Sequence, residues 1–384
     1  MPKLIDSIKS FFANKEALSQ GFYAFQSMQE DETPYRLHLR IEPTGEGILI
    51  VNASTVLHLN QTAVEYAYAL VQGLSDKDAI KYVAKRYDIS KDHIEKDFIL
   101  FREKIMTLIT TPDLDPVTYL DMQRQAPYSG ELSAPYRLDC ALTYQVSESS
   151  DKKAAPQERV DRELTTEEWL TIIKKAFDAG IPHLLFTGGE PTTREDLPEL
   201  LEYAETLGLV TGLLSDGLKL AKKSYRSLLI NKGLDHLMMI MDVNNKKSWK
   251  TLQAILDEDL FTTAHLTMEA KQDLKPFIDR LAKMKVNAIS LSASDPSLAD
   301  TLQTLRDYVA LQQIELVWDM PVPYSRWNPV SLELADVEVP QGAGSAWLYV
   351  EPDGDVLPAQ GVNHVLGNLL KDSWENIWNN RPSE

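Results

Sequence analysis

The chain has 384 residues, 43% of them apolar, enough for two or three domains with real cores, which excludes disorder over the full length. Lys and Arg total 39 against 57 Asp and Glu, a formal charge of −18, so the chain repels phosphate backbones and anionic membrane surfaces. A single cysteine, Cys140, excludes an internal disulfide framework and a zinc–thiolate cage. It also excludes an iron–sulfur cluster held by three or four thiolates of this chain.

No apolar run approaches a bilayer crossing, and the charged N-terminal stretch lacks a small-residue cleavage site. With the lone thiol, this points to a cytoplasmic location. Residues 1–34 read as an amphipathic helix and a polar loop. From Tyr35 the pattern sharpens. Residues 35–41 alternate as a strand, residues 48–51 and 56–59 read as two more, and Glu42 to Glu46 forms a turn. Three helices are predicted next. Asn60 caps the first, Ser75 with Asp78 makes a capping-box-like start for the second, and Ser90 caps the third, which Pro112 stops.

Three strands followed by three helices describe a small winged-helix-like α+β module over residues 35–111, and such modules commonly bind DNA. The third helix argues against that use. Lys91, Lys96, Arg102 and Lys104 are matched by Asp92, Glu95, Asp97 and Glu103, so it has no basic face. A winged-helix regulator is therefore the least favoured reading. The run VLHLNQTAVEYAYALVQGLSDKDAIKYVAKRYDISKDHIEKDFILFREKI resembles the PqqD-like domain, the recognition element of ribosomal-peptide maturation systems. The resemblance implies that a leader peptide adds as a strand to the sheet edge and packs on the third helix, which is β-augmentation. The groove would be lined by Val56, Leu57, Leu59, Ile94, Phe98 and Phe101. The plainer alternative is a docking domain that packs on the rest of the chain.

Residues 112–136 are rich in Pro and read as a linker. From Arg137 strands and helices alternate. Strands are predicted at 137–144, 183–186, 210–214, 236–241, 264–268, 288–292 and 315–318, with helices between them. This pattern implies a parallel α/β sheet, either doubly wound or a partial (β/α) barrel, with ligands at the carboxyl ends of the strands. The segment Phe186-Thr187-Gly188-Gly189-Glu190-Pro191 sits at such an end. Its glycines permit close backbone approach, and the Glu190 carboxylate can accept from an ammonium group. It is also consistent with a tight strand–helix turn capped by Thr192 or Thr193.

The wider stretch LTTEEWLTIIKKAFDAGIPHLLFTGGEPTTREDLPELLEYAETLG resembles the radical S-adenosylmethionine (SAM) superfamily. The resemblance implies a partial barrel over residues 137–325. It places Gly188, Gly189, Glu190 and Pro191 at the amino group of SAM, with Ser215 near its ribose and Asp242 at another ligand-facing strand end. The family's cluster loop follows the first strand, and its three cysteines fall at Val146, Ser150 and Lys153 here. Valine cannot ligate iron, and an ammonium repels it. The cluster chelates SAM and delivers the electron that cleaves it. The expectation is the family's fold without its reaction: no iron–sulfur cluster, no metal and no catalytic residues, with SAM as a conceivable ligand. Residues 326–384 resemble the SPASM or twitch extension through Pro352-Asp353-Gly354-Asp355, Gly367-Asn368 and the helix with Trp374 and Trp378. Its cysteine after Leu-Pro is Ala359, and Ser325 and Tyr349 stand where others are expected.

The seven histidines show no metal-ligand spacing, and Cys140 reads as a core thiol. No Walker loop, dinucleotide fingerprint or nucleophile elbow occurs. The leading expectation is a catalytically silent, radical-SAM-like scaffold in peptide-modification biosynthesis, whose partner is a leader or precursor peptide or a modifying enzyme. A SAM-binding enzyme with non-radical chemistry is the alternative.

Overall fold

The computed structural model describes residues 18–27, 33–111, 114, 119–120, 132–147, 155–317 and 342–381. Two compact units result: residues 1–134 with 177–182, and residues 135–176 with 183–384. Most of the 112–136 linker, together with Ser150, Lys153 and Ser325, lies outside the described residues.

In the first unit, β1 (Gly21–Gln26), β2 (Arg36–Ile41), β3 (Gly47–Val51) and β4 (Thr55–Leu59) form an antiparallel sheet in that order. Helices α1 (Gln61–Val71), α2 (Asp76–Ala84) and α3 (Lys91–Thr110) follow. β1 corrects the expectation of only helix and loop before residue 35. Its Gly21-Phe-Tyr-Ala-Phe-Gln run pairs residue by residue with β2 from Gly21↔Ile41 to Gln26↔Arg36. Phe22, Tyr23 and Phe25 are strand formers, and residues 1–17, where the sequence predicts the helix, lie outside the described residues. Two of the three expected caps close with a side-chain hydrogen bond, whereas Ser90 holds the N-cap position of α3 without one. Asn60 Oδ1 accepts from Ala63 N at 2.9 Å, and Ser75 Oγ accepts from Asp78 N at 3.2 Å.

Two cores divide this unit. Leu57 and Leu59 of β4 pack with Leu37, Leu39, Val64, Ile105 and Ile109. Ile94 and Phe98 of α3 pack instead with Tyr66, Ala69, Ala79 and Val83, between α3, α1 and α2. Phe101 touches both clusters.

In the second unit the strands are β5 (Arg137–Thr143), β6 (His183–Gly188), β7 (Val210–Ser215), β8 (His236–Ile240), β9 (Phe261–Met268), β10 (Ala288–Ala293) and β11 (Glu315–Val317). Between them run α4 (Thr166–Ala179), α5 (Leu197–Thr206), α6 (Lys223–Asn231), α7 (Lys246–Leu256), α8 (Lys275–Met284) and α9 (Ala299–Leu311). Each crossover returns to a neighbouring parallel strand, as a βαβ repeat must. Pairing runs from Arg137↔His183 at one end to Ser290↔Val317 at the other. The sheet is completed by β12 (Trp347–Val350), parallel to β5, then β13 (Asp355–Leu357) and β14 (Gly367–Asn368), both antiparallel. Helix α10 (Trp374–Asn379) ends the described chain. The mostly parallel sheet agrees with the α/β expectation.

Strand alternation sorts the side chains onto two faces. Leu138, Cys140, Leu184, Phe186, Leu213, Leu237 and Leu266 share one face, all buried and all apolar. The opposite face carries Asp139, Thr187, Gly212, His236, Thr263, His265 and Ser290, with Leu185, Leu214 and Met238 as an apolar group among them. Among the described residues no helix is long and apolar enough to cross a membrane.

Phe98 is fully buried in the first unit, where it meets Tyr66 at 5.9 Å between ring centroids. Phe98→Ala is expected to cost about 3–5 kcal/mol of stability, read as a lowered urea midpoint. A loss under about 1 kcal/mol would show that Phe98 lies on a surface rather than in a core.

Candidate functional site

The Gly-Gly-Glu-Pro segment lies where the sequence puts it, at the carboxyl end of β6. Gly188 closes the strand with φ +118°, and a Cβ there would meet the Thr143 carbonyl oxygen at 2.2 Å. A Cβ on Gly189 would meet the Gln145 carbonyl oxygen at 2.1 Å. Both glycines are therefore required by the last residue of β5 and the chain that follows it. That chain is fastened to them: Gly189 N donates to Thr143 O and Glu190 N to Gln145 O, each at 2.7 Å. Pro191 opens a short 3₁₀ turn, Pro191–Thr193, before α5.

Glu190 is fully buried, and both of its oxygens are engaged. Oε1 accepts from Thr192 N at 3.0 Å, Thr192 Oγ1 at 2.5 Å and Ser215 Oγ at 2.9 Å. Oε2 accepts from Asp216 N at 2.8 Å. Ser215, the last residue of β7, thus joins the Gly-Gly-Glu turn, and Gly217 N in turn donates to its hydroxyl at 3.0 Å. Burial, and then the charge of Asp216, push the Glu190 carboxyl above the ordinary carboxylate range, although its hydrogen bonds oppose the shift. Asp242 is not drawn into this group. It is exposed, and its Oδ1 accepts from Asn244 N at 3.1 Å in the turn that leads to α7.

The segment after β5 carries a second cluster. Tyr144 packs with Ala141, Ala155, Tyr349 and Leu357, and Val146 and Val160 pack against them. The Tyr144 hydroxyl donates to Glu351 Oε1 at 2.9 Å, and Arg159 forms an ion pair with the same oxygen. Burial raises the Tyr144 and Tyr349 phenols and the Glu351 carboxyl, the last against the opposing pull of Arg159. Tyr144 N and Thr143 Oγ1 both donate to Glu163 Oε1, at 2.8 and 2.7 Å.

A third group lies on the polar face of the sheet. His265 is fully buried, with Nδ1 3.0 Å from Ser290 Oγ and Nε2 3.0 Å from Ser292 Oγ. Burial lowers its imidazole to about 3, so the ring is neutral. On the same face, His183 and His236 come together, Nε2 to Nε2 at 2.7 Å. Gly212 makes room for them, since a Cβ there would meet the His236 ring at 2.2 Å. Sequence spacing could not show this pair, because the fold closes a separation of 53 residues. The alternation of Thr263, His265 and Thr267 was the available signal for a polar strand face.

The described residues do not fit an iron–sulfur cluster. Cys140 is buried in mid-strand on the apolar face, and burial drives its thiol well above its usual value. Val146 packs among carbon atoms. Among the described residues no three His, Cys, Asp or Glu side chains converge as a metal site. Ala359, where the resemblance of the tail leads one to expect a cysteine, is buried.

Of the residues expected to line a peptide groove, Leu57, Leu59, Ile94 and Phe98 are core residues, and Ile94 and Phe98 belong to a different cluster from β4. Val56 and Phe101 are half-buried. Among the described residues β4 is an outer strand of its sheet.

Residues 140–298 match the profile of the Radical SAM superfamily. The chain carries a Radical SAM superfamily domain. Curated relatives include the PqqA peptide cyclase of Rhizobium meliloti (strain 1021), 44% identical over 77 residues, which is 20% of this chain and 20% of that protein. That alignment spans only a fifth of the relative's length. The PqqA peptide cyclase of Streptomyces rochei is 26% identical over 254 residues, covering 57% of this chain and 68% of that one. Among solved structures, Streptococcus suis SuiB bound to S-adenosylmethionine superposes with TM-score 0.58 at 17% identity, covering 92% of this chain and 88% of that chain. SuiB bound to its precursor peptide SuiA gives TM-score 0.59 at 16% identity, with 95% and 88% covered. At these identities the likeness is one of fold.

Within the Radical SAM domain, the buried Glu190 predicts a pH signature. Its folded-state proton affinity exceeds that of the unfolded chain, so its contribution to stability is greatest in acid and is lost as pH rises above the ordinary carboxylate range. The stability of the natural chain minus that of Glu190→Gln is therefore expected to fall with rising pH in urea titrations. A difference that grows with pH would contradict the assignment. His265 acts in the opposite direction, and its contribution is lost as pH falls from about 6.5 toward about 3. His265→Asn should flatten that acid limb.

Proposed function

We propose that this protein is a catalytically silent member of the radical SAM fold that binds a peptide and serves as a scaffold in peptide modification. The observation that carries the reading is the chemistry of the segment after β5. It offers Val146 where the family resemblance expects a ligating thiol, and the chain's one thiol is buried in mid-strand. Without a cluster there is no electron source for reductive cleavage of SAM.

Three things support a peptide as the partner. Among the described residues β4 stands at the edge of its sheet, a position suited to strand addition. Two relatives are named PqqA peptide cyclase. SuiB, with a similar fold, has been solved with its precursor peptide. In this reading residues 35–111 form the PqqD-like, winged-helix-like recognition module, and residues 137–325 form a partial (β/α) barrel. The tail from residue 326 is a SPASM- or twitch-like extension. The groove is the β4 edge beside α3, with Val56 and Phe101 as contact residues and Leu57 and Leu59 as its support, while Ile94 and Phe98 pack under α1 and α2.

A second reading is favoured by the retained Gly188–Pro191 turn: the protein binds SAM there and uses it without radical chemistry. A strand-end turn is a place where backbone approaches a ligand closely. Ser215 and Asp242 belong to that reading as ribose-side and mouth-side residues.

The test uses a synthetic PqqA-type precursor peptide and SAM. Under anaerobic reducing conditions the full chain is expected to bind the peptide, with Val56→Asp at the sheet edge weakening binding about ten-fold, or about 1.4 kcal/mol. It is expected to release no 5′-deoxyadenosine. Formation of deoxyadenosine would contradict catalytic silence, and equal binding by Val56→Asp would contradict edge recognition. Methyl or other group transfer from SAM, abolished in Glu190→Ala, would establish the second reading in place of the first.

A further inference from the structure

The polar face of the sheet holds one contact that neither the strand-end turn nor the peptide groove uses. His183 opens β6, His236 opens β8, and β7 runs between them. Their rings meet above β7, Nε2 to Nε2 at 2.7 Å, with centroids 4.9 Å apart and planes at 64°. The β7 residue in register with His236 is Gly212. A Cβ there would lie 2.2 Å from Cε1 and 2.3 Å from Nε2 of His236. Glycine inside a strand weakens it and often marks a close approach. Here it keeps open the space in which two imidazoles converge.

With one proton between them, the two rings share a hydrogen bond. With hydrogen on Nδ1 of both rings, the same two Nε2 atoms turn lone pairs toward one point, and neutral imidazole is a common metal ligand. Their separation selects the metal. At metal–nitrogen bonds of about 2.0–2.1 Å, tetrahedral donors stand about 3.3 Å apart and right-angled donors about 2.9 Å. The observed 2.7 Å is close to the right-angled value and well short of the tetrahedral one. Right angles belong to tetragonal Cu(II) and Ni(II) rather than to Zn(II).

The surroundings agree. His183 is 8% exposed and His236 is half-buried, so the pair keeps an edge toward solvent. Arg137, beside His183 in register, is bound to Asp139 at 2.6 Å, and Phe261 lies beside His236. The strand neighbours in register thus add no uncompensated cation. Among the described residues no third His, Cys, Asp or Glu converges on the pair, which leaves the other coordination positions to water.

We propose that His183 and His236 form a two-histidine site for a divalent transition-metal ion of tetragonal preference, Ni(II) or Cu(II), at the amino ends of β6 and β8. The site is independent of the peptide reading and of the Gly-Gly-Glu-Pro turn.

The experiment dialyses the full chain, first stripped of metal, against Ni(II) and measures nickel per chain. One ion per chain is expected, held against an equal concentration of Zn(II). H183Q and H236Q are each expected to weaken binding at least about ten-fold, a loss usual even for a group that only supports a ligand. H93Q/H364Q, which removes two exposed histidines, should bind as the natural chain does. Absence of nickel, binding unchanged in H183Q and H236Q, binding lost in H93Q/H364Q, or displacement by zinc would each overturn the proposal. A second measurement needs no variant to fold. Cu(II) loaded at one per natural chain should show the electron spin echo modulation of two coordinated imidazoles, and modulation from one or none would overturn the site.

Discussion

The carboxylate of Glu190 ties together the ends of two parallel strands, and the local architecture of the Radical SAM domain depends on it. Its two oxygens accept from the 3₁₀ turn after β6 and from the end of β7. A buried carboxylate is costly unless its acceptor sites are satisfied, and four donors do so here. These donors are two backbone amides and two hydroxyls, all neutral, so the carboxyl remains raised. The tie fixes the turn, and the turn fixes the two glycines whose hydrogen atoms face the Thr143 and Gln145 carbonyls. A sequence of contacts thus runs from β7 through β6 to the chain leaving β5, with each step supplied by the protein.

That closure gives the site its character. A turn whose glycines are demanded by a ligand would leave space for the ligand; these glycines are demanded by neighbouring carbonyls, which a Cβ would meet at 2.1 and 2.2 Å. The chain beyond β5 then passes to the Tyr144, Tyr349 and Glu351 group. Around this stretch the protein's own side chains supply the cohesion. The polar face of the sheet is treated similarly, with His265 held neutral between two serines.

Much of this is legible in the sequence, for identifiable reasons. Strand–helix alternation is a local signal, so the parallel strands fall within a few residues of their predicted positions. Gly-Gly-Glu-Pro and the missing cysteines are also local and need no partner to be read. What the sequence hides is mostly long-range. Tyr144 and Glu351 are 207 residues apart, and His183 and His236 are 53 apart. Ile94, Phe98 and Ile105 recur at helical spacing along α3, yet the structure divides them: Ile94 and Phe98 go to one core and Ile105 to another. Periodicity shows which residues are buried but not which partner buries them. Position at a strand end points to Asp242 as a site residue, and what the sequence does not show is that its carboxylate also accepts from Asn244 N in the turn that leads to α7.

Amide hydrogen exchange at Gly189 and Glu190 tests the central claim most directly, because their N–H groups donate to the chain after β5. The account predicts strong protection at both amides in the ligand-free protein, unchanged when SAM is added. Rapid exchange that slows only on adding SAM would show that the ligand, and not the chain, builds the turn, and would contradict it.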